Sequence, residues 1–402
     1  MDSRPTVITV LGTRPEIIKC STLLPRFDAA YEHVLIHTGQ HYDEQMDAVF
    51  FRELGLRAPD VTLGVGSGSH AGQLAKMLLG IEAVLIGRKP DLVFVQGDTN
   101  STMAGGLAAA KLNVPVAHLE AGCRSFNRAM PEEVNRVVVD HLAELLLTPD
   151  EIAAGHLGDE GIAPERIVNV GSTAIDACLR IAGMPASDGA LPGLDTGERE
   201  YLVATIHRAE NTTPERLRGL FAALADLSTT WPVIVPVHPR TARAIDGLAV
   251  PPSVRLIEPV GYATMMRLVG GCRALLTDSG GLQEEAAVLG APTFILRRET
   301  EWRAFVDAGH HQLVGTDPAT IVEAVRSTLT GGERERRMRQ PIGHERAGAT
   351  ERVMTALDRY FATGGAPDQP GLEGNSTWNQ YTATLSNGHV AVASAGAQLS
   401  QE

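Results

Sequence analysis

From His118 to Arg136 the chain reads HLEAGCRSFNRAMPEEVNR, setting Glu120, Glu132 and Glu133 beside Arg124, Arg128 and Arg136. Carboxylates take up and return protons, and neighbouring arginines hold anions. The stretch follows a predicted strand, Pro115–Leu119, and so lies where open α/β sheets bind ligands. One Glu–Arg pair alone would be an ordinary surface ion pair. Other strand ends carry comparable groups. Gln96-Gly97-Asp98-Thr99-Asn100 puts Asp98 at the same sheet edge as Glu120. His207 and His238 follow successive strands, where a histidine can meet a phosphate or act as an acid. Gly12-Thr13-Arg14-Pro15-Glu16 opens a helix whose free N–H groups suit an anion, with Arg14 and Lys19 adding charge. An ordinary strand-to-helix turn explains that segment equally well. In Thr277-Asp278-Ser279-Gly280-Gly281, Ser279 can cap a helix while Gly280 and Gly281 let a phosphate approach the amides. A glutamate one turn into that helix can accept ribose hydroxyls. The chain has no Asp-X-Asp pair and no zinc spacing, so no metal is expected.

These residues need a scaffold that brings strand ends together. Thr6–Leu11, His33–His37, Asp91–Val95 and Pro115–Leu119 read as strands, alternating with helices at 43–54, 70–87 and 99–112. After a Gly/Pro/Asp-rich stretch the alternation restarts: strands at 201–205, 233–237, 254–256, 274–277 and 293–296, helices at 214–227 and 280–289. The order predicts an α/β protein with two doubly wound Rossmann-like domains facing a central cleft. We place the first domain at 1–183, a linker at 184–199 and the second domain at 200–344, with a helix at about 345–362 packing back onto the first. Residues 365–402, rich in Gly, Ser, Ala, Asn and Gln, read as a disordered tail.

The 402 residues suffice for two cores, and the net charge of −13 argues against a nucleic-acid surface. An anionic small ligand remains compatible, because local arginines govern its site. Four cysteines without CxxC spacing suit a reducing compartment, and no apolar run approaches a membrane span. A cytoplasmic protein with neither nucleic-acid nor membrane partners is expected.

The motifs GTRPEIIK, TGQHYD, GDTNST, HLEAGCRS, MPEEVNR, IHRAEN, PVHPRT and TDSGGLQEEA stand in this order from about Val7 to Phe361. Together they resemble the non-hydrolysing UDP-N-acetylglucosamine 2-epimerase family. The resemblance implies a GT-B-like fold with UDP in the interdomain cleft, a homodimer and no cofactor. It implies interconversion of UDP-GlcNAc and UDP-ManNAc through elimination of UDP to a 2-acetamidoglucal and re-addition. By that likeness Asp98, Glu120, Glu132 and His207 are catalytic candidates, with Arg136 in support. Arg14, Lys19, Gln40, His41, His238, Ser279, Gly280, Gly281 and Glu285 are then substrate-binding candidates, Glu285 toward the ribose. Glu133 and Arg128 receive no role beyond structure. Where many members read TER, this chain has Thr300-Glu301-Trp302, with Arg297, Arg298 and Arg303 as candidate replacements for the missing arginine. A modified substrate such as a UDP-diacetamido-uronic acid is the first alternative. A GT-B glycosyltransferase, a hydrolysing epimerase and a UDP-sugar sensor are the others.

Overall fold

Runs such as TVITVL at Thr6–Leu11 carry apolar or β-branched side chains on both faces, the signature of strands covered by helices on either side. The computed structural model describes residues 4–40, 50–184, 200–300 and 303–364. Among them two all-parallel sheets form. The first contains β1 (Thr6–Leu11), β2 (Glu32–His37), β3 (Val61–Thr62), β4 (Leu92–Gln96), β5 (Val116–Leu119), β6 (Leu145–Thr148) and β7 (Ile167–Asn169), ordered β3-β2-β1-β4-β5-β6-β7. The second contains β8 (Leu202–Thr205), β9 (Val233–Pro236), β10 (Val254–Ile257), β11 (Ala274–Thr277), β12 (Thr293–Ile295) and β13 (His311–Leu313), ordered β10-β9-β8-β11-β12-β13.

In each sheet the strand order reverses between the first and fourth strands, β1/β4 and β8/β11. Such switch points open a crevice at the strand C-termini. In the first sheet that edge presents the residues after Leu11, Gln96 and Leu119; in the second it presents those after Thr205 and Thr277. The helix Asn100–Lys111 lies tight against the first sheet because Gly105 lacks a side chain, and a Cβ there would come within 2.8 Å of Val95 Cγ1.

One apolar cluster joins the two sheets. It runs from Leu11 and Phe94 through Ile175 and Cys178, on the helix Thr173–Ala182, to Met266, Leu282 and Val288 beneath the second sheet. The C-terminal helix Ala349–Ala362 is fixed beside it, with Asp176 accepting the amides of Gly348 at 2.6 Å and Thr350 at 2.7 Å. Arg352 Nε donates to Val170 O at 2.7 Å, and Tyr31 donates to Asp358 at 3.1 Å. Among the described residues no helix is long and apolar enough to cross a membrane. The proposed linker from 185 onward, the tail from 365, and residues 43–49 of the predicted helix lie outside the described residues.

Candidate active site

Two cavities open at the crevices, and Pro15 and Lys19 line both. The smaller, 490 Å³, is polar: Asp98, Glu120 and Glu132 share it with the amides of Gln40, Gln73, Asn100 and Asn135. So many carboxylates and amides around one cavity suit a partner rich in hydrogen-bonding groups. The larger, 540 Å³, is lined by apolar Val260, Met265 and Met266 with Tyr262, and by His207, His238, Ser279 and Gly281. Apolar surface beside a helix N-terminus suits a base joined to phosphates.

Glu120 takes its place from an unusual backbone. Its φ of 68° puts a non-glycine residue in the left-handed region, which costs roughly 1–3 kcal/mol and is commonest at functional sites. The amides of Glu120 and Ala121 both donate to Leu147 O, at 3.0 and 3.2 Å, and hold that turn against β6. The side chain meets Lys19 Nζ at 2.8 Å and also accepts from Gln96 Nε2. Burial works against the Lys19 charge, but Glu120, Asp98 and Glu284 outweigh it and hold the ammonium's pKa above the usual lysine range. Asp98 receives Arg136 Nε at 2.9 Å and Nη2 at 2.6 Å, and Asn135 grips its backbone carbonyl at 2.8 Å. Glu132, near the start of the helix Pro131–Leu142, lines the cavity, and its side chain makes no hydrogen bond or ion pair with the described residues.

Across the crevice, fully buried Asp278 organises His207. It accepts the His207 and Arg208 amides at 3.0 Å and stands 2.9 Å from His207 Nδ1, leaving Nε2 for a ligand. Burial would raise the Asp278 carboxyl, but the bonds from His207 and Arg208 outweigh it and hold the pKa below the usual range. His238 stacks loosely on His207, with ring centroids 5.3 Å apart, and its Nδ1 accepts the Arg240 amide at 3.1 Å. Burial and the neighbouring His207 and Arg240 lower its pKa, favouring neutral imidazole. Ser279 caps the helix Gly280–Leu289, its Oγ accepting the Leu282 amide at 3.4 Å, and a Cβ on Gly281 would meet only open space.

The chain also matches known proteins. The family model described as UDP-N-acetylglucosamine 2-epimerase matches residues 26–358. A UDP-N-acetylglucosamine 2-epimerase of Methanococcus maripaludis is 42% identical over 351 residues, covering 84% of this chain and 95% of that protein. The chain belongs to the UDP-N-acetylglucosamine 2-epimerase family. It is therefore an isomerase, an epimerase of UDP-linked N-acetylhexosamines. A UDP-2,3-diacetamido-2,3-dideoxy-D-glucuronate 2-epimerase of Pseudomonas aeruginosa is 41% identical over 329 residues, covering 80% of this chain and 92% of that one. The crystal structure of Methanocaldococcus jannaschii UDP-GlcNAc 2-epimerase in complex with UDP-GlcNAc and UDP superposes with a TM-score of 0.70 at 39% identity, covering 88% of this chain and 99% of that one. The fold of the epimerase is GT-B-like.

Several residues of the epimerase stand differently from the sequence reading. Arg14 lines neither cavity; its guanidinium carbon lies 6.0 Å from the Phe50 ring centroid. In the Gly12–Glu16 segment, whose helix start suits an anion, the Gly12 amide donates to buried Glu16 at 2.9 Å, because that carboxylate folds back over its own helix start. Gln40 lines the polar cavity, and its Oε1 accepts the Ser101 amide at 3.1 Å and hydroxyl at 2.9 Å. His41, Glu301 and Trp302 lie outside the described residues, and Arg297, Arg298 and Arg303 line neither cavity. Gly280 begins its helix without lining the larger cavity, unlike Ser279 and Gly281 on either side.

Glu133, given only a structural role, turns out to organise the whole loop. It accepts the amides of Ser125 and Phe126, both at 2.9 Å, and Arg136 Nη1 at 2.7 Å. Burial works against its charge, but these bonds win and lower its carboxyl to about 2. Arg136 is thereby pinned between Glu133 and Asp98. Tyr262 escaped the sequence reading altogether. Its hydroxyl donates to Glu285 Oε1 at 2.7 Å, and burial raises that carboxyl to about 7. Among the described residues no group of three His, Cys, Asp or Glu side chains is placed to hold a metal.

Proposed function

We propose that this epimerase interconverts UDP-GlcNAc and UDP-ManNAc by eliminating UDP and adding it back. The observation that carries the reading is Lys19, which lines both cavities and pairs with Glu120. A cation at that seam stands between a sugar in the polar cavity and a diphosphate in the other, where the C1–O bond must break.

The C2 proton of the sugar has no adjacent carbonyl and is hard to remove directly. As the C1–O bond weakens, C1 gains cationic character and the C2–H bond becomes acidic. A carboxylate takes the proton, the C2–H electron pair forms C1=C2, and UDP leaves with the C1–O electrons. Protonation of C2 from the other face, with attack of the UDP oxygen on C1, completes inversion. Asp98, Glu120 and Glu132 supply the proton-transfer groups, and Arg136 holds Asp98 in place. Lys19, His207 and the helix start at Ser279, Gly280 and Gly281 stabilise the departing diphosphate. Ionised Glu285 accepts the ribose hydroxyls, while His238 and Gln40 border the ligand. The same reading takes residues 1–183 and 200–344 as the two domains of a cytoplasmic homodimer.

The Pseudomonas relative supports a second reading, a 2-epimerase of a diacetamido-uronic acid sugar, at nearly equal identity. Incubation with both UDP-sugars, followed by NMR of the products, separates them; turnover of the uronate alone would discard the first reading. The elimination step is tested with UDP-GlcNAc carrying oxygen-18 in the C1–O–P bridge. Elimination scrambles the label into the non-bridging β-phosphate oxygens, and epimerisation without scrambling would contradict it.

A further inference from the structure

His118 ends in neither cavity, yet it sits two residues before Glu120 and is fully buried together with Asp140. Its Nε2 lies 2.7 Å from Gly97 O and its Nδ1 2.6 Å from Asp140 Oδ1. A carbonyl oxygen only accepts, so Nε2 carries a hydrogen. Asp140 also receives the Arg124 guanidinium at 2.6 Å and the Gly122 amide at 3.1 Å, the surroundings of an ionised carboxylate. An ionised carboxylate likewise only accepts, so Nδ1 carries a hydrogen too. His118 is an imidazolium with both N–H groups spent. Burial alone would lower its pKa, but the Asp140 charge and bond and the Gly97 carbonyl outweigh that and raise it. Arg124 is closed on its other side by Glu160, at 2.7 and 2.8 Å.

The points this cluster grips are telling. Gly97 precedes Asp98, Gly122 follows Glu120 by two residues, and Asp140 belongs to the helix Pro131–Leu142 that carries Glu132 and Arg136. A buried ion cluster is a poor source of stability, since apolar side chains of equal volume usually do as well. It is a good source of fixed geometry. We propose that the His118–Asp140–Arg124 cluster is a positioning device that clamps the backbone carriers of Asp98, Glu120 and Glu132 into one arrangement. This rests on the reading that those carboxylates move the C2 proton.

The test compares two variants of the full-length enzyme. His118→Asn keeps a donor near Nδ1 for Asp140 but releases Gly97; His118→Gln keeps a donor near Nε2 for Gly97 but releases Asp140. We measure kcat and KM for C2 exchange in deuterated water, UDP affinity by calorimetry, and thermal unfolding. For His118→Asn we expect kcat to fall by about 10- to 100-fold, the scale of a small misplacement, with KM and UDP affinity within about threefold and unfolding still cooperative. His118→Gln should retain more kcat than His118→Asn. Nitrogen-15 NMR of the wild type should show both His118 nitrogens protonated at neutral and mildly alkaline pH. A kcat within twofold of wild type in His118→Asn, or losses of UDP affinity and cooperativity in step with kcat, would overturn the clamp. So would a neutral His118 ring. Absence of C2 exchange in the wild type would instead sink the epimerase reading, and the NMR charge state would still decide the clamp.

Discussion

Lys19 Nζ stands 2.8 Å from Oε2 and 2.7 Å from Oε1 of Glu120, one side chain from each of two strand-end segments 101 residues apart. Through Lys19 the pair joins the polar cavity to the one at the strand ends of the second sheet. Because Lys19 is held above the usual lysine range, it stays charged throughout the neutral range and adds no pH dependence there. Lys19→Met should lower kcat by about 100- to 1,000-fold, the scale of losing one transition-state donor. The fold should survive, since the Lys19 side chain is already 31% exposed. Steady-state kinetics beside a melting curve checks this; a kcat within threefold of wild type would remove Lys19 from the mechanism.

Glu285 gives a pH signature. Its carboxyl is raised from 4.5 to about 7, chiefly by burial and further by Glu284, while the Tyr262 hydroxyl resists. The folded protein therefore binds this proton more tightly than the unfolded chain. Its contribution to stability is full below about 4.5 and is lost as pH rises through about 7. The ionised form is the stronger acceptor for ribose hydroxyls, so UDP affinity should strengthen as pH climbs from about 6 to about 8. Glu285→Gln should flatten that dependence. Calorimetric titration of UDP across the range decides it, and a flat wild-type profile would refute the ribose role.

His207→Ala should separate catalysis from folding. Asp278 would keep the amides of residues 207 and 208 and the Asn211 side chain, each at about 3.0 Å, so the buried charge is not abandoned. The expected stability cost is about 1 kcal/mol. The expected loss of kcat is about 100-fold, the lower range for removal of one donor to developing negative charge. Urea unfolding and initial rates on the same preparation test both, and equal fractional losses would assign His207 to folding alone.

Glu133→Gln probes the loop. The carboxyl is lowered from 4.5 to about 2, so it stabilises the fold above the unfolded value and loses that effect as pH falls through about 2. The variant should be destabilised at neutral pH by about 1.5–3 kcal/mol, the usual worth of bonds to a charged group. It should also lose this part of the acid-side slope. Chemical unfolding at several acidic pH values reads the difference; superimposable curves for variant and wild type would show that Glu133 does not anchor Ser125 and Phe126.

Much of this scaffold is legible from local pattern. The helix Gly280–Leu289 and the strand Thr6–Leu11 fall where caps, glycines and β-branched runs place them, because both are set by neighbouring residues. Between Leu119 and the linker the residue pattern marks no strand, yet Leu145–Thr148 and Ile167–Asn169 extend the sheet. Runs of three or four apolar residues lack the length to show a period. The site divides in the same way. Asp98 and Glu120 follow strand ends and Glu132 stands at a helix start, where exposure to a crevice follows from topology. Asp140 and Glu16 are acids on buried helix faces; Asp140 pairs with His118 22 residues away, and Glu16, besides Gly12 at its own helix start, reaches Thr99 83 residues away. An acid at a core position is the signal that finds them, but the partner is set only when the sheets pack. Arg14 misled for a related reason: its neighbour Lys19, one turn and a half along the helix, points into the cavities instead.

The central claim is that carboxylates at one sheet edge remove and return the C2 proton of an intact UDP-sugar. The most direct measurement is NMR or mass analysis of UDP-GlcNAc incubated with the enzyme in deuterated water. One deuterium is expected at C2 in UDP-ManNAc and, with time, in recovered UDP-GlcNAc. Epimerised product that keeps its original C2 hydrogen would contradict it.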